Sequence, residues 1–389
     1  MSYTYVVIGA GRQGVAAAYD LAVLGEARHL LFVDASEENA RQAAAATNRL
    51  TGRNIASAQQ GDARDGTRMA SLVRGADAIL SAAHYGVNLG LTRIAAEFGV
   101  HLCDLGGNTD IVRSQHAFDA VARSRGATIV PDCGMGPGLN VSLAAYTMAQ
   151  LDEPREVRIW DGGLPQHPNP PWDFQSTFAM SGLTNEYDGA AHFLRNGQVT
   201  AVPCFADLEE LEFAPPVGRL EAFVTSGGLS TAPWTWQGRL DRLENKTLRY
   251  PGHCARFKAY QELGLLGLER VRAGDVDVVP RDLFHALLEP RIGSAGTLVR
   301  DVCVMRVTAS GMRRQRAASV TIELVDRYDE VTGFTAMQRL TGWHAAIIAG
   351  LAVRRRLPAG VVAVERVPGE LIVSEGRRRG WAITERTTP

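Results

Sequence analysis

The sequence predicts an α/β protein in which a Rossmann-type, doubly wound parallel sheet is joined to an α+β domain with a mostly antiparallel sheet. Three observations lead there. Between residues 5 and 131, short runs apolar on both faces alternate with helical stretches, the pattern of parallel strands covered by helices. Gly9, Gly11 and Gly14 form a G-x-G-x-x-G spacing that follows the first apolar run and opens the first helix. After Gly138 the strand–helix rhythm stops and period-two alternation takes over. At 389 residues the chain exceeds one typical domain. We expect a dinucleotide-binding domain over residues 1–138 and a substrate-binding and oligomerisation domain over 139–334. A last segment, 335–389, is expected to return to the first domain.

Strands are expected at Tyr5–Ile8, Leu30–Asp34, Ile55–Ala58, Ala78–Ala82, His101–Asp104 and Thr128–Pro131, with helices such as Val15–Leu24 and Leu89–Phe98 between them. Six such strands are the content of a doubly wound dinucleotide fold. A helix follows from Leu139 to Gln150, then prolines and glycines thicken in "GGLPQHPNPPW". The stretch "DVCVMRVTASGMRRQRAASVTIELVD" reads as a β-hairpin, with Val320, Ile322 and Leu324 alternating with Ser319, Thr321 and Glu323. One face of its sheet is buried and the other wet. Helical periodicity returns from Met337 to Leu351. The arginine runs at 354–356 and 377–379 read as solvated helix faces.

Composition narrows the function classes. Lys+Arg is 41 and Asp+Glu 42, for a net charge of -1, so nothing draws the chain to nucleic acid or acidic membranes. No apolar run approaches the roughly 20 residues of a membrane span, and the start lacks the basic n-region of a signal peptide. The five cysteines are scattered and form no CxxC pair, so neither a metal site nor a disulfide framework is expected, and a reducing cytoplasm fits.

The cofactor signal lies in "VIGAGRQG". Gly9 permits the tight turn, Gly11 lets backbone approach a pyrophosphate, and Gly14 lets helix pack on strand, with Arg12 and Gln13 in the same turn. Asp34 ends the second strand and suits ribose hydroxyls; its charge repels a 2′-phosphate, which favours NAD over NADP. Asp62 reads as an acceptor for the adenine amino group or, equally, as a solvated loop acid. Ser81 and Ala82, small residues ending the fourth strand, leave room where a cofactor crosses the sheet. Asn88 is assigned to the cofactor side of that cleft and Tyr85 to the substrate side. Reacting groups gather beyond the carboxyl ends of such strands. Asp104 and Asp132 stand there, each able to order an ammonium group or to cap the next element. Cys133 reads as a small buried hydrophobe.

Together "VIGAGRQG", "DLGGN", "PDCGMGPGL" and the late "MQRLTGWHAAIIA" resemble the saccharopine dehydrogenase-like oxidoreductases. The middle motifs "WDGGLP", "GLTNEYDG", "RNGQV", "LEAFVTSGGLST" and "NKTLRYPGHCARFK" resemble the L-lysine 6-dehydrogenases of that family. The resemblance implies NAD-dependent oxidative deamination of the ε-amine of lysine, with loss of ammonia and cyclisation of the resulting semialdehyde. The ε-amine must be neutral before hydride leaves, and its pKa in water is about 10.4, so the site needs desolvation or a base and an alkaline optimum is expected. Asp104, Asp132 and His253 are the candidate bases, unranked. Arg249 is expected to clamp the substrate carboxylate, with Thr225, Ser226, Thr247 and Tyr250 donating hydrogen bonds. Glu221 or Glu186 is expected to receive the α-ammonium. Lys246 is expected in solvent. Other readings are a saccharopine- or carboxyspermidine-type dehydrogenase, whose extra carboxylates want a second cationic clamp, and a non-catalytic NAD-binding module. A homodimer or larger homo-oligomer built through the open sheet is expected in any case.

Overall fold

Alternation along the first strand decides the first sheet. In β1 (Tyr3–Ile8), Tyr5 and Val7 join one apolar cluster and Val6 and Ile8 another, all four at most 2% exposed. A strand buried on both faces needs helices above and below. A computed structural model describes residues 2–176, 180–293 and 299–389 and provides them. β2 (Ala27–Asp34), β3 (Ala56–Gln60), β4 (Ala78–Ser81), β5 (His101–Asp104) and β6 (Thr128–Val130) fall where the apolar runs predict them. All pair in parallel, in the spatial order β6-β5-β4-β1-β2-β3. The order reverses between β1 and β4, so a crevice opens beyond their carboxyl ends.

The second sheet is built from β7 (Glu153–Pro165), β8 (Ala190–Arg195), β9 (Gln198–Pro203), β10 (Glu209–Phe213), β11 (Gly218–Phe223) and β12 (Arg242–Arg249). After a small separate hairpin, β13 (Val271–Ala273) with β14 (Val276–Val278), come the long strands β15 (Asp301–Arg313) and β16 (Arg316–Arg327). Its main path is β10-β11-β12-β7-β15-β16, antiparallel except where β12 meets β7. Arg314 and Gln315 turn the β15–β16 hairpin with φ of 50° and 61°, the left-handed pair a two-residue loop requires. Val320, Ile322 and Leu324 are fully buried as the alternation demands, and Thr321 and Glu323 are half-buried on the opposite face.

The end of the chain rejoins both sheets. β17 (Gly360–Val361) extends the first sheet beside β6, and β18 (Ile383–Thr388) pairs with β16. Between the two sheets runs the helix Ala336–Val353, opened by a Thr335/Gln338 capping box and by Asp301, whose carboxylate accepts the Ala336 and Met337 N–H groups. Its apolar period suggests one buried face, yet every residue except Gln338 and Arg339 is buried. The reason is its place: Leu340, Ile347 and Leu351 belong to one apolar core that includes Tyr5 and Phe32 of the first sheet and Ile159 and Met305 of the second. Gly342 allows the closest approach, since a Cβ there would lie 3.0 Å from the Gln13 carbonyl oxygen and the Ala17 nitrogen. The arginine runs are not simply solvated faces. Arg379 is buried in a two-point ion pair with Asp20 at 2.8 Å, while Arg355 and Arg356 are exposed. Among the described residues no helix is long and apolar enough to cross a membrane.

Candidate active site in the interdomain cleft

The glycine turn separates packing from function. Gly9 has φ +96°, and a Cβ on it would lie 2.7 Å from the Ala82 carbonyl carbon; a Cβ on Gly14 would lie 2.1 Å from the Gly9 oxygen. Both glycines are forced by close approach. A Cβ on Gly11 would meet nothing within 4 Å, so that side is open to a phosphate approaching the helix Arg12–Val23. The residues present therefore fit a dinucleotide. The Asp34 carboxylate holds the turn by accepting the Ala10 and Ser36 N–H groups, each at 2.9 Å, and stays partly exposed toward the crevice where a ribose belongs. Arg12 is exposed at the turn, while the Gln13 amide reaches the Met337 carbonyl at 3.5 Å and ties the turn to the central helix. Ser81 and Asn88 are buried and bond each other at 2.9 Å, locking the end of β4 from behind. Asp62 faces outward in a two-point pair with Arg64, whose hydrogen bonds hold its carboxyl at about 2.

Between the domains lies a cavity of about 450 Å³, lined by Tyr85, Asp132, Asp161, Glu186, Thr225, Ser226, Thr247 and Arg249 among others. β12 supplies its cation. Thr247 pairs with Asp161 of β7 across a parallel register, and period two puts Arg249 on the same face. Arg249 is 3% exposed, yet each part of its guanidinium has a partner. Nε donates to the Tyr187 hydroxyl at 3.2 Å, Nη1 to Thr247 Oγ1 at 2.8 Å and to the Leu248 carbonyl at 2.9 Å, and Nη2 reaches Glu186 at 3.5 Å. The Phe174 ring lies 5.1 Å from the guanidinium carbon.

Three carboxyls share the cavity wall. Burial pushes Asp132 up to about 7, with the charge of Asp104 adding to the rise, and its Oδ1 has no hydrogen-bond partner among the described residues. Burial also raises Glu186 to about 7 against the pull of Arg249; a third of that side chain is exposed, at the cavity wall. Asp161 is raised to about 6 by burial, opposed first by the hydrogen bond from Asn245 at 2.8 Å. Carboxyls poised near neutrality in a cleft are equipped to exchange protons.

Several expected residues stand elsewhere. Asp104 is fully buried below the cavity, accepting from the Gly106 and Asp132 N–H groups and from Gln115, so its oxygens are spent on structure. His253 does not point into the cleft. It lies behind Tyr187, stacked on Phe257 at 4.1 Å, and burial lowers its pKa well below 6.5. Tyr250 donates to the Pro165 carbonyl at 2.9 Å and lies outside the cavity wall. Glu221 accepts the N–H groups of Gly252 and Cys254 and so caps the helix His253–Glu262 instead of awaiting an ammonium. Ser226 does line the cavity, but its hydroxyl donates to the Asn185 carbonyl at 2.8 Å; Lys246 is buried against Glu209 at 2.7 Å. Sequence reasoning missed Asp161 and Tyr187. The available signal for Asp161 was a lone acid in the otherwise apolar end of β7; the glycine at 136 makes room for it, since a Cβ there would lie 2.6 Å from Asp161 Oδ2.

Two family models and one solved structure agree with this architecture. The chain matches the saccharopine dehydrogenase NADP binding domain over residues 5–130 and the saccharopine dehydrogenase C-terminal domain over residues 134–375. Its fold superposes on the saccharopine dehydrogenase (L-Glu forming) of Saccharomyces cerevisiae with a TM-score of 0.80, at 16% identity and covering 100% of both chains. A myo-inositol dehydrogenase of Corynebacterium glutamicum is matched at 12% identity over 100% of this chain and 98% of that one, with a TM-score of 0.42. The chain thus belongs to the saccharopine dehydrogenase family, oxidoreductases that bind a nicotinamide dinucleotide.

Proposed function

We propose that the protein is an L-lysine 6-dehydrogenase, which uses NAD to deaminate the ε-amine of L-lysine oxidatively to the 6-semialdehyde, with release of ammonia and cyclisation to a piperideine carboxylate. One observation carries this. Among the described residues lining the cavity, Arg249 is the one Arg or Lys, and it stands among the carboxyls of Asp132, Asp161 and Glu186. Lysine presents the complementary set, one carboxylate and two amines. Arg249 and Thr247 bind the α-carboxylate, and Glu186 with Asp161 receives the α-ammonium. Asp132 takes the proton from the ε-ammonium, leaving the neutral amine whose lone pair forms the C=N bond. NAD, which the Gly9–Gly14 turn and Asp34 would hold, would supply the acceptor for the hydride of the ε-carbon. Asp132 then orients the water that adds to the imine. The Asp34 carboxylate favours NAD by repelling a 2′-phosphate.

A saccharopine dehydrogenase is favoured by one feature. An adjoining cavity of about 500 Å³ contains Arg113, a second cation. That guanidinium, however, lies 3.8 Å from the Trp234 ring and 3.6 Å from Asp110, so it is already partnered. Purified protein given L-lysine and NAD should form NADH and ammonia in equal amounts. NADH formation with saccharopine but not with lysine would overturn the assignment. Arg249→Ala should raise the KM for lysine roughly 30-fold or more, the cost of truncating a buried charge partner, and leave NAD binding intact. The half-buried face of the second sheet that carries Thr308, Thr321 and Glu323 is where we infer that a second copy packs; light scattering that returns a monomer counts against it.

A further inference from the structure

A buried base needs a way to lose its proton. Asp132 is 1% exposed, and its neighbour Asp104 has both oxygens engaged in structural hydrogen bonds. Another set of groups leads away from it. Asp132 Oδ1, Ser230 Oγ and Glu365 Oε2 are all buried and all lack a hydrogen-bond partner among the described residues. The Ser230 hydroxyl lies beside the Asp132 carboxyl and favours its ionised form, while the Glu365 charge opposes that form. Ser230 is followed by Thr231, whose hydroxyl donates to Glu365 Oε1 at 2.8 Å, and Thr235 donates to the same oxygen at 2.6 Å. Asp132 and Ser230 also share a rare backbone state, with φ of 58° and 50°. That left-handed conformation costs a non-glycine residue roughly 1–2 kcal/mol and collects at functional sites. His116, half-buried, has Glu365, Asp119 and Arg366 as its charged neighbours. Buried polar atoms without a protein partner are where ordered water is held.

We propose that Ser230, Thr231 and Glu365, with water at their unpaired oxygens, form the exit path for the proton that Asp132 removes from the substrate, and that His116 hands it to solvent. The inference rests on the reading of Asp132 as the base. The N–H bond of the ammonium breaks and the Asp132 carboxylate gains the proton. Asp132 passes it to the Ser230 oxygen as Ser230 releases its own proton toward Thr231, and Thr231 releases its own to Glu365. Glu365, now a carboxylic acid, returns to carboxylate by protonating His116. Each hydroxyl ends with one proton as it began, and no electrons move.

Two measurements on the full-length protein test this. In pH-difference infrared spectra without substrate, the wild type should show a carboxyl titrating near 7 that Asp132→Asn removes. Glu365→Gln should move that titration to lower pH, because it deletes a charge that opposes ionisation of Asp132. A titration unmoved by Glu365→Gln overturns the proposal. In turnover, Glu365→Gln and Ser230→Ala should lower kcat roughly tenfold or more, enlarge its solvent isotope effect, and recover with added imidazole. The glutamine keeps an oxygen for Thr231 and Thr235, so the fold is retained, and a melting curve checks it. Wild-type kcat in both variants, or a loss that imidazole does not relieve, also overturns the relay. Should the wild type leave lysine untouched, the substrate assignment falls, and the infrared shift still decides the coupling of Glu365 to Asp132.

Discussion

The Tyr187 hydroxyl lies 2.8 Å from His253 Nε2 and 3.2 Å from Arg249 Nε, with all three side chains buried. Arg249 has only hydrogens to give, so the tyrosine oxygen accepts from it and donates to the imidazole. That direction requires a neutral ring, which burial enforces by holding His253 well below its usual pKa. One of the three candidate bases is therefore the anchor of the anchor. Tyr187→Phe leaves two buried groups unpaired, at about 1–3 kcal/mol. It should raise the lysine KM roughly five- to a hundredfold while NAD affinity stays put, as initial-rate kinetics and NADH fluorescence would report. The pH sign follows from the lowered pKa. The unfolded chain takes up a proton at this histidine below about 6.5, so the stability held by the neutral ring is present above that pH and is lost below it. The difference in urea midpoint between wild type and His253→Asn should shrink from about pH 8 to about pH 5.5; a constant difference would refute the neutral-ring assignment.

Gly11 and Gly14 look alike in the sequence and should behave oppositely. Gly14→Ala sets a methyl 2.1 Å from the Gly9 oxygen and must shift backbone, costing about 1–3 kcal/mol of stability. Gly11→Ala meets no protein atom within 4 Å, so its melting temperature should match the wild type while NADH binding weakens. Calorimetry and fluorescence titration separate the two effects; a destabilised Gly11→Ala protein that binds NADH normally would reverse the assignment.

Glu221 faces Arg249 across the β11–β12 register but does different work. Its oxygens satisfy two N–H groups at the start of the His253–Glu262 helix. Glu221→Ala should cost about 0.5–2 kcal/mol of stability, the usual loss of a helix cap, and leave the lysine KM within twofold once folded protein is counted. A KM shift as large as that of Arg249→Ala would instead return Glu221 to the substrate.

Local patterns carried most of the fold. The six parallel strands, the hairpin and the glycine turn each announce themselves within a dozen residues, because period, turn chemistry and close approach are local constraints. Arg249 and Thr247, expected from one short motif, line one cavity because residues two apart on a strand share a face. Asp161, Tyr187 and Glu365 were not singled out as site residues. Each acquires its role from a partner far along the chain: Asn245 for Asp161, His253 for Tyr187, and Thr231 for Glu365. His253 reads as a candidate base in the sequence; Gly252, with φ +92°, instead starts a helix that carries the ring inward. The all-round burial of the Ala336–Val353 helix was hidden likewise, since nothing in its period tells that two sheets enclose it.

Asp132 and Asp104 are neighbouring carboxyls with opposite duties, and pH profiles should tell them apart. Asp132, at about 7, must be ionised to accept a proton, so log kcat/KM for lysine should rise with slope one below pH 7 through this group and level off above it. Asp132→Asn should lower kcat roughly 10²- to 10⁴-fold with NADH binding unchanged. Asp104 raises the pKa of Asp132 by its charge. Asp104→Asn should therefore move the acid limb to lower pH while keeping turnover. Loss of turnover in Asp104→Asn with activity retained in Asp132→Asn would exchange their roles. Stability gives an independent check. A carboxyl raised from 3.8 to about 7 by folding favours the native state below its unfolded pKa, and that advantage is lost as pH rises through 7. Asp132→Asn should thus melt higher than the wild type at about pH 8, and the gain should shrink toward about pH 5, because the buried charge that the reaction requires is the one that burial disfavours.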